Sequence, residues 1–296
     1  MTADAADHSA PPVPPALPGA GTGPGEASVA AASGEPAAPA AEEASASEPV
    51  APAGVETVAR YASSTELVEA VAERLLERLE TLQADPEKVV QLCLTGGRTA
   101  TRVYTALTER LDASTLDTQR LELWWSDERF VATEDPDRHA GHVLAILAGK
   151  LSMRSDLTHP MPAADGLADS AAAAASYGKE LGETGFDICL LGMGPDGHVA
   201  SVFPDHPSFE AAGHPVIGVT DSPFPPSERI SLTVPTLNRS AEVWFLVTGD
   251  EKADAVRRSV AGDPTVPAGV VRGSVHTWWF LDRPAASALP YHSCSF

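Results

Sequence analysis

A short apolar run that ends in a glycine-rich turn constrains the fold of this chain more than any other feature. The run Ile188 to Leu191 lies within the segment FDICLLGMGPDGHVASVFP and contains only apolar residues. Strands without alternating polar residues are typical of parallel sheets that helices cover on both faces. The segment therefore predicts an α/β fold.

Strand-like and helical segments alternate along most of the chain. Strands are predicted near residues 89–95, 121–125, 188–191, 215–219, 229–234, 242–248 and 277–281. Helices are predicted near residues 64–79, 99–111, 137–148, 169–181 and 250–260. Because such alternation is typical of a mostly parallel central sheet with helices on both faces, we expect a Rossmann-like architecture.

Composition divides the chain into two parts. Residues 1–54 are almost entirely Ala, Pro, Gly, Ser and Glu, with no Lys, Arg or aromatic residue. Such a segment buries too little apolar surface to offset its ordering entropy, so we predict a disordered tail. It also lacks the basic start and apolar run of a secretory signal. Residues 55–296 are predicted to form a single α/β catalytic domain.

Charge and cysteine content limit the partners and the location. The formal net charge is −21, which disfavours nucleic acid and anionic membranes as partners. No apolar run approaches the roughly 20 residues that span a bilayer. Cys93 and Cys189 lie in predicted strands and Cys294 lies near the end. This pattern predicts reduced thiols in a cytoplasmic protein rather than a disulfide framework; the oligomeric state stays open.

The turn after residue 191 carries the first candidate for chemistry. Gly194 and Gly197 allow the backbone to bend sharply and to approach a ligand closely. Asp196 and His198 follow at a spacing of two residues, and a histidine on such a turn can act as a base near neutral pH. The sequence therefore places a catalytic candidate at the carboxyl end of a strand, where α/β sheets bind ligands.

Three further turns also follow strand ends, and we expect them to converge on the same cleft. The run Gly96-Gly97-Arg98-Thr99 offers backbone amides, a hydroxyl and a guanidinium at a helix start, which suits a phosphate but also suits an ordinary turn. Lys252 falls in the first turn of another helix, where a cation is mildly unfavourable unless it serves a ligand. Asp127 and Arg129 follow a very apolar strand; they either orient a hydroxylated substrate or pair with each other.

Two other kinds of site are disfavoured. Gly192 to Gly197 formally matches the dinucleotide fingerprint GxGxxG, but Pro204 and Pro207 interrupt the long helix that this fingerprint requires. Asp135, Asp137, His139 and His142 resemble a metal cluster but lack a recognisable ligand spacing. We therefore predict neither a nicotinamide cofactor nor a bound metal.

Six motifs together resemble the 6-phosphogluconolactonases in type and order. They are LTGG, WSDERFV, FDICLLGMGPDGHVASVFP, SERISLTVPTLN, FLVTGDEKADAV and WWFLD, and they cover most of residues 89–282. The resemblance implies hydrolysis of 6-phospho-D-glucono-1,5-lactone to 6-phospho-D-gluconate in the oxidative pentose phosphate pathway. It also implies the fold that this family shares with glucosamine-6-phosphate deaminases.

The deaminases are the nearest competitor, and one residue argues against them. After the shared Asp-Gly-His they carry a proton-transferring Glu before a Pro, whereas this chain has Phe203 before Pro204. Two departures from the lactonases also occur. The usual turn GGSTP reads GGRTA here, so Arg98 stands where Ser is usual, and His139 stands where Asn is frequent.

The resemblance leads to a mechanistic hypothesis that uses no metal and no cofactor. His198 removes a proton from the attacking water, and Asp196 or Asp127 orients either the imidazole or the sugar hydroxyls. Amides of the turn at Gly194 and Gly197, with Arg129, stabilise the oxyanion. The predicted phosphate-binding residues are Gly96, Gly97, Arg98, Thr99, Lys252 and Arg229. A sugar-phosphate sensor on the same scaffold is the alternative from another functional class.

Overall fold

The computed structural model of the chain describes residues 54–211 and 213–290. Apart from Gly54, the predicted disordered tail lies outside these residues, and so does Cys294. The predicted boundary between tail and domain therefore stays a prediction. Within the described residues, no helix is both long enough and apolar enough to cross a membrane.

Strands occur at each predicted place and at two more. Among the described residues, the nine strands are β1 (Val55–Tyr61), β2 (Val90–Leu94), β3 (Leu121–Trp125), β4 (Asp127–Arg129), β5 (Ile188–Leu191), β6 (Val216–Val219), β7 (Arg229–Leu232), β8 (Glu242–Val247) and β9 (His276–Asp282). Six of them form one sheet in the order β1-β9-β8-β5-β2-β3, and every neighbouring pair in this sheet is parallel. The predicted central sheet is confirmed.

The central strands are covered on both faces. All residues of β5 and all residues of β8 are buried, although successive side chains of a strand point to opposite faces. Burial on both faces therefore requires a layer on each side, as the uniformly apolar sequence predicts. Large aromatic side chains fill these layers; Phe245 and Trp279 stack with ring centroids 4.0 Å apart.

In the part of the chain that the structure describes, eight α-helices lie between these strands. They are α1 (Ser64–Leu82), α2 (Arg98–Thr108), α3 (His139–Leu147), α4 (Ser170–Leu181), α5 (Pro207–Glu210), α6 (Val234–Leu237), α7 (Ala253–Val260) and α8 (Pro267–Val270). Helix α1 begins where Ser63 accepts a hydrogen bond from the backbone N–H of Glu66 at 3.2 Å. Its buried residues recur every three to four positions from Leu67 to Leu79, so one stripe faces the core.

The strand order reverses beside β2, and this reversal locates the binding crevice. After β2 the chain moves outward to β3 and then returns to the other side of β2 as β5. The loops after β2 and β5 consequently leave in opposite directions and open a gap at the carboxyl ends of the strands. The glycine turns at Gly96 and Gly192 follow these two strand ends.

A second, antiparallel sheet of three strands lies outside the predicted central sheet. Strands β4, β7 and β6 pair antiparallel, with Asp127 opposite Ser231 and Arg129 opposite Arg229. The segments near 215–219 and 229–234 are therefore strands, as predicted, but they do not extend the parallel sheet. They bring Arg229 beside the strand that carries Asp127 and Arg129.

Candidate active site

A cavity of about 200 Å³ lies at the carboxyl ends of β2, β5 and β8. Most of the predicted site residues line it, namely Gly96, Gly97, Arg98, Thr99, Asp127, Arg129, His198, Arg229 and Lys252. The four turns that the sequence predicts to converge thus contribute to one cleft. The remaining predicted residues, Gly194, Asp196 and Gly197, form the turn that holds His198.

The imidazole of His198 is held from one side by Asp196. The Nδ1 atom lies 2.6 Å from Oδ1 of Asp196, and the same oxygen accepts the backbone N–H of His198 at 3.2 Å. Burial alone raises the pKa of the Asp196 carboxyl, but the hydrogen bond and charge of His198 outweigh burial, so the pKa is lowered. With Nδ1 engaged, Nε2 makes no hydrogen bond among the described residues and is free to act on a ligand.

The turn that follows β5 requires glycine at both Gly194 and Gly197. Gly197 has φ of +86°, and a Cβ there would lie 2.1 Å from Cγ1 of Val266. A Cβ on Gly194 would lie 2.1 Å from Nδ1 of His198, so the imidazole rests directly on this residue. Both positions exclude a side chain, one by backbone conformation and by space, the other by space.

The amides of the same glycines are occupied inside the turn. The N–H of Gly194 donates to the carbonyl of His198 at 2.9 Å, and that of Gly197 donates to the carbonyl of Gly194 at 3.1 Å. In this conformation neither group is available to an oxyanion, contrary to the role expected from the sequence. The two glycines therefore shape the turn, and their amides are used within it.

Asp127 is buried, and its hydrogen-bond partner is not His198. Its Oδ2 accepts a hydrogen bond from Oγ of Ser201 at 2.8 Å, and only about 4% of the residue is exposed. The sequence left two carboxylates as candidates for orienting the imidazole. The geometry places Asp196 on the imidazole and Asp127 in the cavity wall, held by Ser201.

Sequence reasoning assigned no role to Glu128, which organises one wall of the cavity. Its fully buried carboxylate accepts the N–H groups of Arg129 and His139, both at 2.8 Å, and that of Ala140 at 2.7 Å. Burial raises the pKa of Glu128, while these three hydrogen bonds oppose the rise. Glu128 thereby caps the start of α3, where two backbone N–H groups lack helical partners.

Arg129 reaches the cavity with part of its guanidinium unpaired. One terminal nitrogen, Nη1, donates to the carbonyl of Asp137 at 2.6 Å, whereas the buried Nε atom has no hydrogen-bond partner among the described residues. Nδ1 of His139, on the same cavity, is also buried without a partner. Buried polar atoms without hydrogen-bond partners are rare, so this wall of the cavity departs from the usual satisfaction of polar groups.

Two cations and a helix start form the opposite end of the cavity. Gly97 precedes α2 with φ of +94° and gives no side-chain cap, so the first N–H groups of α2 have no capping side chain. The side chains of Arg98 and Lys252 line the cavity, and neither has a hydrogen-bonded or ion-paired partner among residues 54–211 and 213–290. Burial, followed by the nearby Arg98, lowers the pKa of Lys252 against the opposing effect of Glu251. An anion here would relieve the repulsion between these cations.

Arg229 lines the cavity, but two nitrogens of its guanidinium donate hydrogen bonds to a loop. Nε donates to the carbonyl of Pro226 at 3.2 Å, and Nη2 donates to those of Phe224 and Pro225 at 3.0 and 3.1 Å. The loop so fastened places the ring of Phe224 at 5.2 Å from that of His198. Burial lowers the pKa of Arg229, and Asp127 opposes this effect. Only the remaining nitrogen, Nη1, is without a partner in the described parts of the chain.

The residues of the disfavoured metal cluster make local contacts instead. Oδ1 of Asp135 accepts the N–H of Asp137 at 2.8 Å, and Nε2 of His142 lies 2.7 Å from the carbonyl of Pro136. Among the described residues, no group of three or more His, Cys, Asp or Glu side chains is arranged to hold a metal ion. Phe203, at the position of the deaminase glutamate, is buried with its ring 4.8 Å from that of His198.

Comparisons with known proteins agree with this architecture. Residues 62–279 match the family described as glucosamine-6-phosphate isomerases/6-phosphogluconolactonase. The chain is 40% identical over 238 residues to a 6-phosphogluconolactonase of Streptomyces coelicolor, covering 76% of this chain and 91% of that protein. It is 37% identical over 242 residues to one of Mycobacterium tuberculosis, covering 78% and 97%.

Solved structures share the fold as well. A crystal structure of 6-phosphogluconolactonase from Thermotoga maritima has a TM-score of 0.67 at 29% identity, covering 77% of this chain and 99% of that one. A monomeric glucosamine-6-phosphate deaminase has a TM-score of 0.66 at 23% identity, which shows a common fold. The described residues thus form an α/β protein that shares its fold with both of these enzymes. The chain belongs to the glucosamine-6-phosphate isomerase/6-phosphogluconolactonase family.

Proposed function

We propose that this chain hydrolyses 6-phospho-D-glucono-1,5-lactone to 6-phospho-D-gluconate. The observation that carries the proposal is the arrangement of one cavity: the imidazole of His198 backed by Asp196, with unpaired Arg98 and Lys252 lining the same space. A base beside a reacting carbon and cations at a separate phosphate are the two requirements of this reaction. The names of the relatives support the same substrate.

In the proposed reaction, His198 acts as general base and then as general acid. Its Nε2 takes a proton from water as the water oxygen attacks the lactone carbonyl carbon. The tetrahedral intermediate collapses, the bond from this carbon to the ring oxygen breaks, and the imidazolium returns its proton to the departing oxygen. Asp196 stabilises the imidazolium, since its carboxylate accepts from Nδ1 at 2.6 Å. A δ-lactone is an activated ester, so these steps need neither a metal nor a cofactor.

Oxyanion stabilisation is assigned to Arg129 because its side chain lines the cavity and part of its guanidinium holds no hydrogen bond among the described residues. Nε of this residue lacks a partner, whereas the amides of Gly194 and Gly197 are used within the turn. A guanidinium in a partly buried wall supplies positive charge where the carbonyl oxygen becomes negative. Asp127, fixed by Ser201, is assigned to the sugar hydroxyls, to which a buried carboxylate can offer an acceptor.

The phosphate is assigned to the far end of the cavity. The free N–H groups at the start of α2, with Arg98, Thr99 and Lys252, combine oriented donors and unneutralised charge. Thr99 is itself fixed by a hydroxyl contact with Thr248 at 2.9 Å. Arg229 contributes at most Nη1, since its other nitrogens hold loop carbonyls. We also propose that residues 55–296 form the catalytic domain of a cytoplasmic enzyme.

A turnover assay on freshly generated lactone, corrected for spontaneous hydrolysis, tests the proposal. We expect the wild-type chain to catalyse the reaction and His198→Gln to lower kcat by about 10²–10⁴-fold, the usual contribution of a general base. Binding of 6-phosphogluconate, measured by calorimetry, should change little. Binding without turnover by the wild-type chain would instead favour the sugar-phosphate sensor, and unchanged kcat in the variant would remove His198 from the mechanism.

A further inference from the structure

His139 lies in the cavity wall but has no part in the proposed reaction. It is the first residue of α3, and its side chain is about 13% exposed. The same side chain also lines a neighbouring surface cavity of about 480 Å³ with Gly96, Gly97 and Arg98. The imidazole thus forms the partition between the catalytic cavity and the outer face of the glycine turn that precedes α2.

The ring of His139 rests directly on Gly96. A Cβ placed on Gly96 would lie 2.1 Å from Nδ1, 2.2 Å from Cγ and 2.3 Å from Cε1 of the imidazole. Gly96 is not among the residues with positive φ, so its backbone by itself accepts a side chain. The imidazole is therefore the first group that a side chain here would meet, and it in turn limits where the turn from Gly96 to Thr99 can move.

The carboxylate of Glu128 helps to fix the position of the His139 imidazole. The carboxylate that accepts the backbone N–H of His139 at 2.8 Å also lies 3.9 Å from Nδ1. Nδ1 is buried without a hydrogen bond, whereas Nε2 is not among the buried atoms that lack a partner. The buried carboxylate of Glu128 thus positions both the start of α3 and the ring of His139, which packs against the glycine turn.

The imidazole is neutral at physiological pH. Burial lowers the pKa of His139 to about 4, with Arg129, Arg229 and His142 adding to the effect and Asp127 opposing it. A neutral ring can pack on a backbone without competing with Arg98 and Lys252 for an anion.

We propose that His139 is a positioning residue for phosphate binding, which braces Gly96 so that the N–H groups of residues 98–100 stay directed at the anion. The choice of a phosphorylated substrate rests on the proposed function, whereas the contact between His139 and Gly96 does not. Because the ring touches the turn and not the reacting carbon, its loss should weaken phosphate binding and leave the chemical step largely intact.

The first test compares three variants on two substrates. We expect His139→Ala to raise KM for the phosphorylated lactone about tenfold, equivalent to about 1.4 kcal/mol, with kcat and the reaction of unphosphorylated gluconolactone nearly unchanged. His139→Asn should recover most of the loss, because its flat amide fills much of the space beside Gly96 that the imidazole occupies. His142→Gln, one turn further along α3 and outside the catalytic cavity, is the matched control and should behave as wild type.

The second test is a double-mutant cycle with Gly96→Ala. In the wild-type background the new methyl group must displace the imidazole and should weaken phosphate binding. In the His139→Ala background that methyl group has room, so the second substitution should cost much less. Simple additivity of the two effects would overturn the proposed contact.

Titration of each variant with inorganic phosphate, followed by NMR, separates this inference from the proposed function. If the wild-type chain binds phosphate but has no lactonase activity, the proposed function fails and the phosphate affinities alone decide the role of His139. Wild-type affinity in His139→Ala would overturn the inference. Equal losses on both lactones, accompanied by a lower Tm, would also overturn it, since they would indicate a merely structural role.

Discussion

At the scale of single residues, the pair of Asp196 and His198 illustrates how local sequence specifies chemistry. The two residues are separated by Gly197, whose positive φ folds the carboxylate back onto the imidazole. Every part of this arrangement lies within five residues of chain, so the sequence alone was sufficient to predict the turn and its histidine. It was insufficient to choose between two acids, because Asp127 reaches the site from a different sheet.

Replacing the charge of Asp196 tests its proposed part in the reaction. Asp196→Asn keeps the side-chain shape but removes the negative charge that stabilises the imidazolium. We expect kcat to fall about tenfold or more, corresponding to at least about 1.4 kcal/mol, with KM little changed. Steady-state kinetics on the phosphorylated lactone measure both quantities. An unchanged kcat would mean that His198 needs no charged partner.

The buried imidazole of His139 predicts a pH dependence of stability. Burial lowers its folded-state pKa to about 4 from an ordinary value of 6.5, so the unfolded chain binds a proton more readily. The resulting contribution to stability is complete above pH 6.5 and is lost as the pH falls toward 4. Between pH 7.5 and 5, the free energy of unfolding should fall by about 2 kcal/mol more in wild type than in His139→Asn. Denaturant unfolding of both proteins at the two pH values tests this; parallel losses would contradict it.

Glu128 and His139 show where residue-level prediction from sequence stops. Glu128 lies between two predicted site residues, yet its role depends on N–H groups 11 and 12 positions later in the chain. His139 resembles a metal ligand in sequence and instead packs on Gly96. Contacts of this kind are set by how α3 docks, and no local pattern encodes the docking.

At the scale of elements, the alternation of strands and helices was predictable and the small antiparallel sheet was not. Strand β5 is wholly apolar, and β2 and β8 each contain a single polar residue, a composition typical of buried parallel strands. Strand β4 has three residues and consists of Asp, Glu and Arg, so neither length nor apolar periodicity distinguishes it from a loop. Strand β1 was missed for a related reason: as an edge strand it is half exposed and mixes charged with apolar residues.

The phosphate end of the cavity is an assembly of element ends, and Lys252 tests it. Lys252→Met retains much of the side-chain bulk but removes a partly buried cation. We expect KM for the phosphorylated lactone to rise about tenfold or more, about 1.4 kcal/mol, with little effect on unphosphorylated gluconolactone. Lys150→Met is the control, since Lys150 is exposed and pairs with Asp112 at the surface. Equal effects of Lys252→Met on both substrates would exclude a phosphate contact.

At the scale of the whole molecule, positive charge is concentrated where the proposed substrate needs it. The chain carries 41 acidic and 20 basic residues, yet Arg98, Arg129, Arg229 and Lys252 line a single cavity of about 200 Å³. A strongly acidic surface repels a phosphorylated ligand at long range. The four cations must therefore act at short range, inside walls that reduce screening by water and salt.

The amino-terminal segment should be dispensable for folding and turnover. Residues 54–290 include both sheets and every residue that lines the cavity, while residues 1–53 have a composition that cannot form a core. We expect deletion of residues 1–53 to change kcat/KM by less than about twofold and to leave Tm nearly unchanged. Differential scanning calorimetry and the lactone assay measure these quantities. A large decrease in either would show that the segment packs on the folded part.

The alternation of side chains along β4 makes the site sensitive to any change in chain length at this strand. Asp127 and Arg129 face the cavity, while Glu128 faces the start of α3 from within the protein. Because side chains alternate along a strand, inserting or deleting a single residue just before Asp127 would exchange the two faces. The helix cap would then point at the ligand, and the ligand-facing groups would enter the interior. A change of length in this strand would therefore be more disruptive than a single substitution, because it would misplace all three side chains at once.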